Sequence, residues 1–182
     1  MKRLLISSIL ALALMVVPIS GALAADFAEV SITATPSYVS ITNTEASWAV
    51  GSVAVSTAYW WTADGNAPDP EPFEAADMKS TITNTGSVAE DVGIKVAAFS
   101  GGDGWTISTD DSPAEGENSL RAGITGTTNE AAMVQVITTN TSLTTSLGSS
   151  STIKWCMEME TAASFADGAE KTGVVTITAT AA

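Results

Sequence analysis

Histidine is absent from this chain of 182 residues, cysteine occurs once, and lysine and arginine together number 7. Without imidazole there is no Ser-His or Cys-His nucleophile pair and no histidine-ligated metal site. The single thiol, Cys156, rules out an intramolecular disulfide, so the fold must stand on its core. That usage fits a prokaryotic exported protein better than a small disulfide scaffold, and the leftover thiol is either free or, as the minor alternative, paired across chains. Few cations against 20 acidic residues make the net charge −13. A phosphate backbone needs a basic patch, whereas Lys79, Lys95, Arg121, Lys154 and Lys171 are scattered, which argues against nucleic acid. A phosphate-cradling glycine loop and a nucleophile elbow are also missing.

Long apolar runs are missing except at the start, where Lys2 and Arg3 precede "LLISSILALALMVV" and small residues follow at Ala22 and Ala24. This apolar stretch is short for a membrane span and has the layout of an export signal cleaved after Ala24. Residues 1–24 are therefore read as a signal peptide and 25–182 as one domain, large enough to bury a proper core. The expected location is secreted or cell-surface, with the periplasm as a further option and membrane contact only during export.

Period two dominates what remains. "AEVSITATP" alternates with Val30, Ile32 and Ala34 on one face, and "VGIKVAAF" with Val92, Ile94, Val96 and Ala98. Further strand candidates are "SWAVGSVAVS", "AYWW", "TITNT", "GWTIST", "AAMVQVITT", "TIKWCMEME" and "GVVTITATA", separated by Gly, Asn, Asp, Pro and Ser. In "TIKWCMEME" the alternation puts Ile153, Trp155, Met157 and Met159 inside and leaves Lys154, Cys156 and Glu158 outside. Only "EPFEAADMK", residues 71–79, has room for a turn of helix, and it reads as a surface loop. "TAASFADGAEK" has room for another turn. Many short strands with turn signals mean a mostly antiparallel sandwich or barrel.

Two echoes recur, "SITNT" at 40–44 with "TITNT" at 81–85, and "VSITATP" with the C-terminal "VTITATA". The stretch "TITNTGSVAEDVGIKVAAFSGGDGWTIS" resembles the immunoglobulin-like domains of bacterial and archaeal secreted and surface proteins, where Thr-Asn-Thr-Gly closes one strand, Val-x-Ile-x-Val forms the next and a Gly-Trp follows. The likeness covers roughly residues 28–109. It implies a single immunoglobulin-like or jelly-roll-like antiparallel β-sandwich used as a non-catalytic spacer, adhesion unit or sugar-contact module. The acidic insert, about residues 62–77, departs from that pattern.

Three sets of residues are candidates for function. Asp64, Asn66, Asp69 and Glu71 are hard oxygen donors in one loop, the chemistry calcium prefers, although their spacing matches no EF-hand. In an extended "AYWW", Tyr59 and Trp61 share a face about 7 Å apart. Turned outward, that pair suits stacking on sugar rings; turned inward, as large aromatics in a sandwich usually are, it leaves Trp60 leaning on the surface under the insert. Phe27, Val30 and Ile32 lie on a strand-forming segment at a free chain end, able to add to a sheet edge. With its acids on loops and polar strand faces, the chain is read as no enzyme. The expectation is an exported structural protein of a surface, matrix or fibre that associates with itself or other surface proteins, with a carbohydrate-binding module as the alternative. No cofactor is expected beyond a possible calcium ion.

Overall fold

The computed structural model describes residues 36–68 and 72–182. Its strands are β1 (Ile41–Asn43), β2 (Ala58–Trp61), β3 (Ser80–Asn84), β4 (Glu90–Val96), β5 (Thr106–Ser108), β6 (Glu117–Ile124), β7 (Val134–Gln135), β8 (Thr141–Leu147), β9 (Thr152–Thr161) and β10 (Val175–Ala181), with one 3-10 turn at Glu130–Ala132. They form two sheets: a large one in the order β1-β3-β9-β6-β5, with β2 also on β9 and β7 on β6, and a small one in the order β10-β4-β8. The chain is an all-β sandwich.

The spine is β9. Its first half pairs with β3 (Ile82 opposite Ile153) and its second half with β2 (Trp61 opposite Met157), while β6 runs along its other side with Leu120 opposite Met159. Strict alternation sends Trp155, Met157 and Met159 into the space between the sheets, where they meet Val92, Ile94, Val96, Leu143 and Leu147 from the small sheet. Each such side chain contributes about 1.5–3 kcal/mol on burial. Trp155 also needs a polar partner, and its indole N–H donates to Asn43 Oδ1 at 3.0 Å.

The two "TNT" echoes lie side by side. β1 and β3 pair antiparallel with Ile41 opposite Asn84 and Asn43 opposite Ile82. Asn84, fully buried, donates through Nδ2 to the carbonyls of Val88 and Leu147, both at 2.8 Å, and accepts from the Gly86 N–H at 2.8 Å. Gly86 is required by crowding: a Cβ there would meet the Tyr38 carbonyl oxygen at 2.6 Å and the Ser40 nitrogen at 2.9 Å. The following Gly-Trp closes one end of the sandwich. Trp105 exchanges backbone hydrogen bonds with Phe99 and stacks on Phe165 at 5.4 Å.

Several expectations are corrected. "SWAVGSVAVS" forms no strand, because Gly51 at φ 80° and Ser56 at φ 47° break its extended path, and it lays Trp48, Val50 and Val53 against the core as an irregular strap. "AAMVQVITT" divides into the 3-10 turn and the two-residue β7, sending Met133 to the outer face and Val136 to the core. β5 runs parallel to β6, not antiparallel. The link between them, residues 109–116, folds back over the buried Pro113 and ends at Gly116 with φ 78°, so the chain re-enters in the same direction. Residues 72–79 hold turns and no helix, and "TAASFADGAEK" likewise forms none.

Candidate functional site

β2 settles the orientation of the aromatic run. Tyr59 and Trp61 sit opposite Met159 and Met157, which face the core, so the pair turns inward. Trp61 is 5% exposed and meets Trp155 edge-on at 4.9 Å, while the Tyr59 hydroxyl accepts from the Ala54 N–H at 2.6 Å. The pair therefore offers no outward sugar platform: Trp61 is core and Tyr59 is half-buried against it. Trp60 takes the other side, half-buried against a second cluster. Trp48, from the strap, tilts over Trp61 with ring centroids 6.5 Å apart.

That second cluster, Phe73, Met78, Met133 and Cys156, covers the outer face of the large sheet. Cys156 points away from the main core, as alternation requires, but it is fully buried rather than outside. Phe73 is the reason. Its N–H bonds the Thr127 carbonyl at 2.8 Å and its carbonyl accepts from Gly126 at 2.9 Å, which clamps the acidic insert down as a lid. Burial pushes the Cys156 thiol up to about 12, and a cross-chain disulfide cannot form without lifting that lid.

Beside it, Glu158 is also buried. Desolvation first, and then Glu130, push its carboxyl up to about 7 against the opposing pull of Arg121. Arg121 lies 3.7 Å from Glu158 Oε2, donates to Glu130 Oε1 at 3.1 Å and pairs with Asp111. One guanidinium thus pairs with three acids, and nearby Glu160 is raised by burial and then by Glu130.

In the acidic insert, Asp64 accepts from the Asn66 N–H at 3.0 Å and from Asn66 Nδ2 at 3.1 Å, while the Thr62 hydroxyl donates to the Asn66 carbonyl at 2.7 Å. These bonds, the Asn66 amide foremost, hold the Asp64 carboxyl below its usual range. Of the four calcium candidates, Asp64 and Asn66 thus engage each other, and Asp69 and Glu71 lie outside the described residues. Among the described residues no group of three or more acids or cysteines is arranged to hold a metal ion. Phe27, Val30 and Ile32, like Ala22 and Ala24 at the expected cleavage point, also lie outside the described residues.

The remaining feature is an edge. Among the described residues, β10 borders the small sheet, paired with β4 on one side only, and its inward residues Val175, Ile177 and Ala179 are half-buried. Its sequence, "VTITATA", carries no charge and no proline, and its register with β4 is unbroken over seven residues. The opposite border, β8, is interrupted by register shifts and by Ser146 at φ 53°.

Fold and edges together define an all-β sandwich in which, among the described residues, β10 is a long border strand without charge, proline or bulge. Comparison with protein-family models, with curated proteins and with solved structures returns no match. Among the described residues no helix is long and apolar enough to cross a membrane.

Proposed function

We propose that this is an exported, non-catalytic structural protein of the cell surface, matrix or a fibre, of the immunoglobulin-like kind, and that it self-associates by strand addition at β10. The observation that carries the reading is the undefended edge. Exposed borders are normally blunted by lysine, proline, bulges or brevity, and β10 has none of these over seven residues. A strand added there would satisfy a row of backbone donors and acceptors and cover the half-buried Val175, Ile177 and Ala179. The occupant whose sequence suits the position is the segment 27–35 of another copy, which carries Phe27, Val30 and Ile32 and alternates as β10 does.

The test is electron microscopy and sedimentation of the purified chain over a range of concentrations. Thr176 and Thr180 are exposed on β10, so the double variant Thr176→Lys/Thr180→Lys guards the edge without entering the core. Assembly should be abolished in that variant and in a chain lacking residues 25–35, with circular dichroism unchanged. A chain that stays monomeric at every concentration, or that assembles equally well in both variants, overturns the reading.

A further inference from the structure

Beyond β9, the other edge of β2 faces a groove rather than a strand. The groove has two adjoining compartments, about 340 Å³ and 440 Å³, that share Trp48, Ala49, Trp60 and Gly65. We infer that this groove is a binding site for a neutral polysaccharide chain, with Trp48 and Trp60 as its stacking surfaces. Neither residue belongs to the inward Tyr59–Trp61 pair, and the inference is independent of assembly at β10.

The chemistry of the walls selects the ligand. Both indoles are supported from behind: Trp48 by Trp61 and Trp60 by the cluster of Phe73 and Met78. Half-buried indoles present a flat apolar face of the kind that the C–H side of a pyranose ring covers. Around them stand hydroxyl-binding groups, Glu45, Asp64 and Lys79 in one compartment and Asn66 in the other. Two carboxylates with one ammonium would repel a polyanion, and Asp64, whose oxygens already accept from Thr62 and Asn66, keeps further lone pairs for ligand hydroxyls. A polyhydroxylated neutral chain satisfies both aromatic and polar walls.

The wall is also held in place before any ligand arrives. Thr62, Asp64 and Asn66 bond one another, and the Ala63 N–H donates to the Asp77 carbonyl at 3.0 Å, fixing the loop to the segment that carries Lys79. A groove set in advance loses less to ordering on binding. Two adjoining compartments, open to solvent, match consecutive residues of a chain rather than one enclosed monosaccharide.

The experiment is isothermal titration of the purified chain, at a concentration where sedimentation finds it monomeric, with cellohexaose, chitohexaose, laminarihexaose and mannohexaose. At least one should bind with a dissociation constant between roughly 10 µM and 1 mM, as suits a shallow, open site. Trp60→Ala should weaken that binding at least 10-fold. Asp64→Ala and Lys79→Ala, which leave the core untouched, should weaken it about threefold or more, whereas Tyr38→Ala, at an exposed position away from the groove, should not. Failure of all four hexasaccharides to bind overturns the inference. So does binding that survives Trp60→Ala and both polar variants, or a groove that takes an extended peptide and no sugar.

Discussion

Asn84 donates to the carbonyl oxygen of Leu147 at 2.8 Å, and this bond ties β3 of the large sheet to the end of β8 in the small one. The same amide reaches the Val88 carbonyl and accepts from Gly86, so all three of its hydrogen bonds close one end of the sandwich. The run Thr83-Asn84-Thr85-Gly86 thus has a mechanical role in this chain. Asn84→Ala removes the bonds and takes this donor from one buried and one part-buried carbonyl, for an expected loss of about 2–4 kcal/mol. Urea unfolding should show the midpoint falling with the slope unchanged.

Cys156 should be inert in the native state. Buried beneath Phe73 and with its thiol pushed up to about 12, it should react with a thiol reagent only after unfolding, and the chain should run as a monomer on a non-reducing gel. Phe73→Ala opens the lid at a cost of about 3–5 kcal/mol. Labelling of Cys156 in that variant should accelerate at least 10-fold under native conditions.

Glu158 sets a pH dependence. Folding raises its carboxyl from the usual 4.5 to about 7, so the folded protein binds the proton more tightly than the unfolded chain within that window. Stability from this group therefore falls as pH rises from 4.5 through about 7, and the penalty is complete above it. Glu158→Gln should flatten that slope, a gain of about 1–2 kcal/mol at pH 8 after allowing for solvent screening, read as a smaller difference in Tm between pH 5 and pH 8.

Asp167 behaves oppositely. Its bond to Lys171 at 2.5 Å, together with the Asp103 and Ala169 N–H groups, holds its carboxyl down to about 2. Its contribution is present above pH 3.8 and is lost as pH falls toward 2. Asp167→Asn should lower Tm at pH 7 and by much less at pH 2, where the folded-state carboxyl is about half protonated.

Alternation made much of this fold legible. Trp155, Met157 and Met159 face inward as the period-two pattern requires, and the strands around "TITNT", "VGIKV" and "VTITATA" fall where their sequences suggest. β6 and β8 were not legible, because "ENSLRAGI" buries Asn118 and Ser119 and "TSLTTSL" offers only Leu143 and Leu147 as apolar residues. The covered outer face escaped for a related reason: Phe73 and Met78 lie in an acidic stretch, yet two apolar residues there were the available signal of a lid. The Trp48–Trp60 groove joins a strap that resembles a strand to the residue between two core aromatics. Only the fold brings them together.

Concentration-dependent hydrogen exchange of the β10 amides tests the central claim most directly. If β10 is the edge at which copies join, the amides of Val175, Ile177, Ala179 and Ala181, which alternate with those bonded to β4, should exchange fast in dilute monomer and should slow at least 10-fold as assemblies form, with β8 unaffected. Assemblies that leave β10 exchanging at its monomer rate would contradict the account.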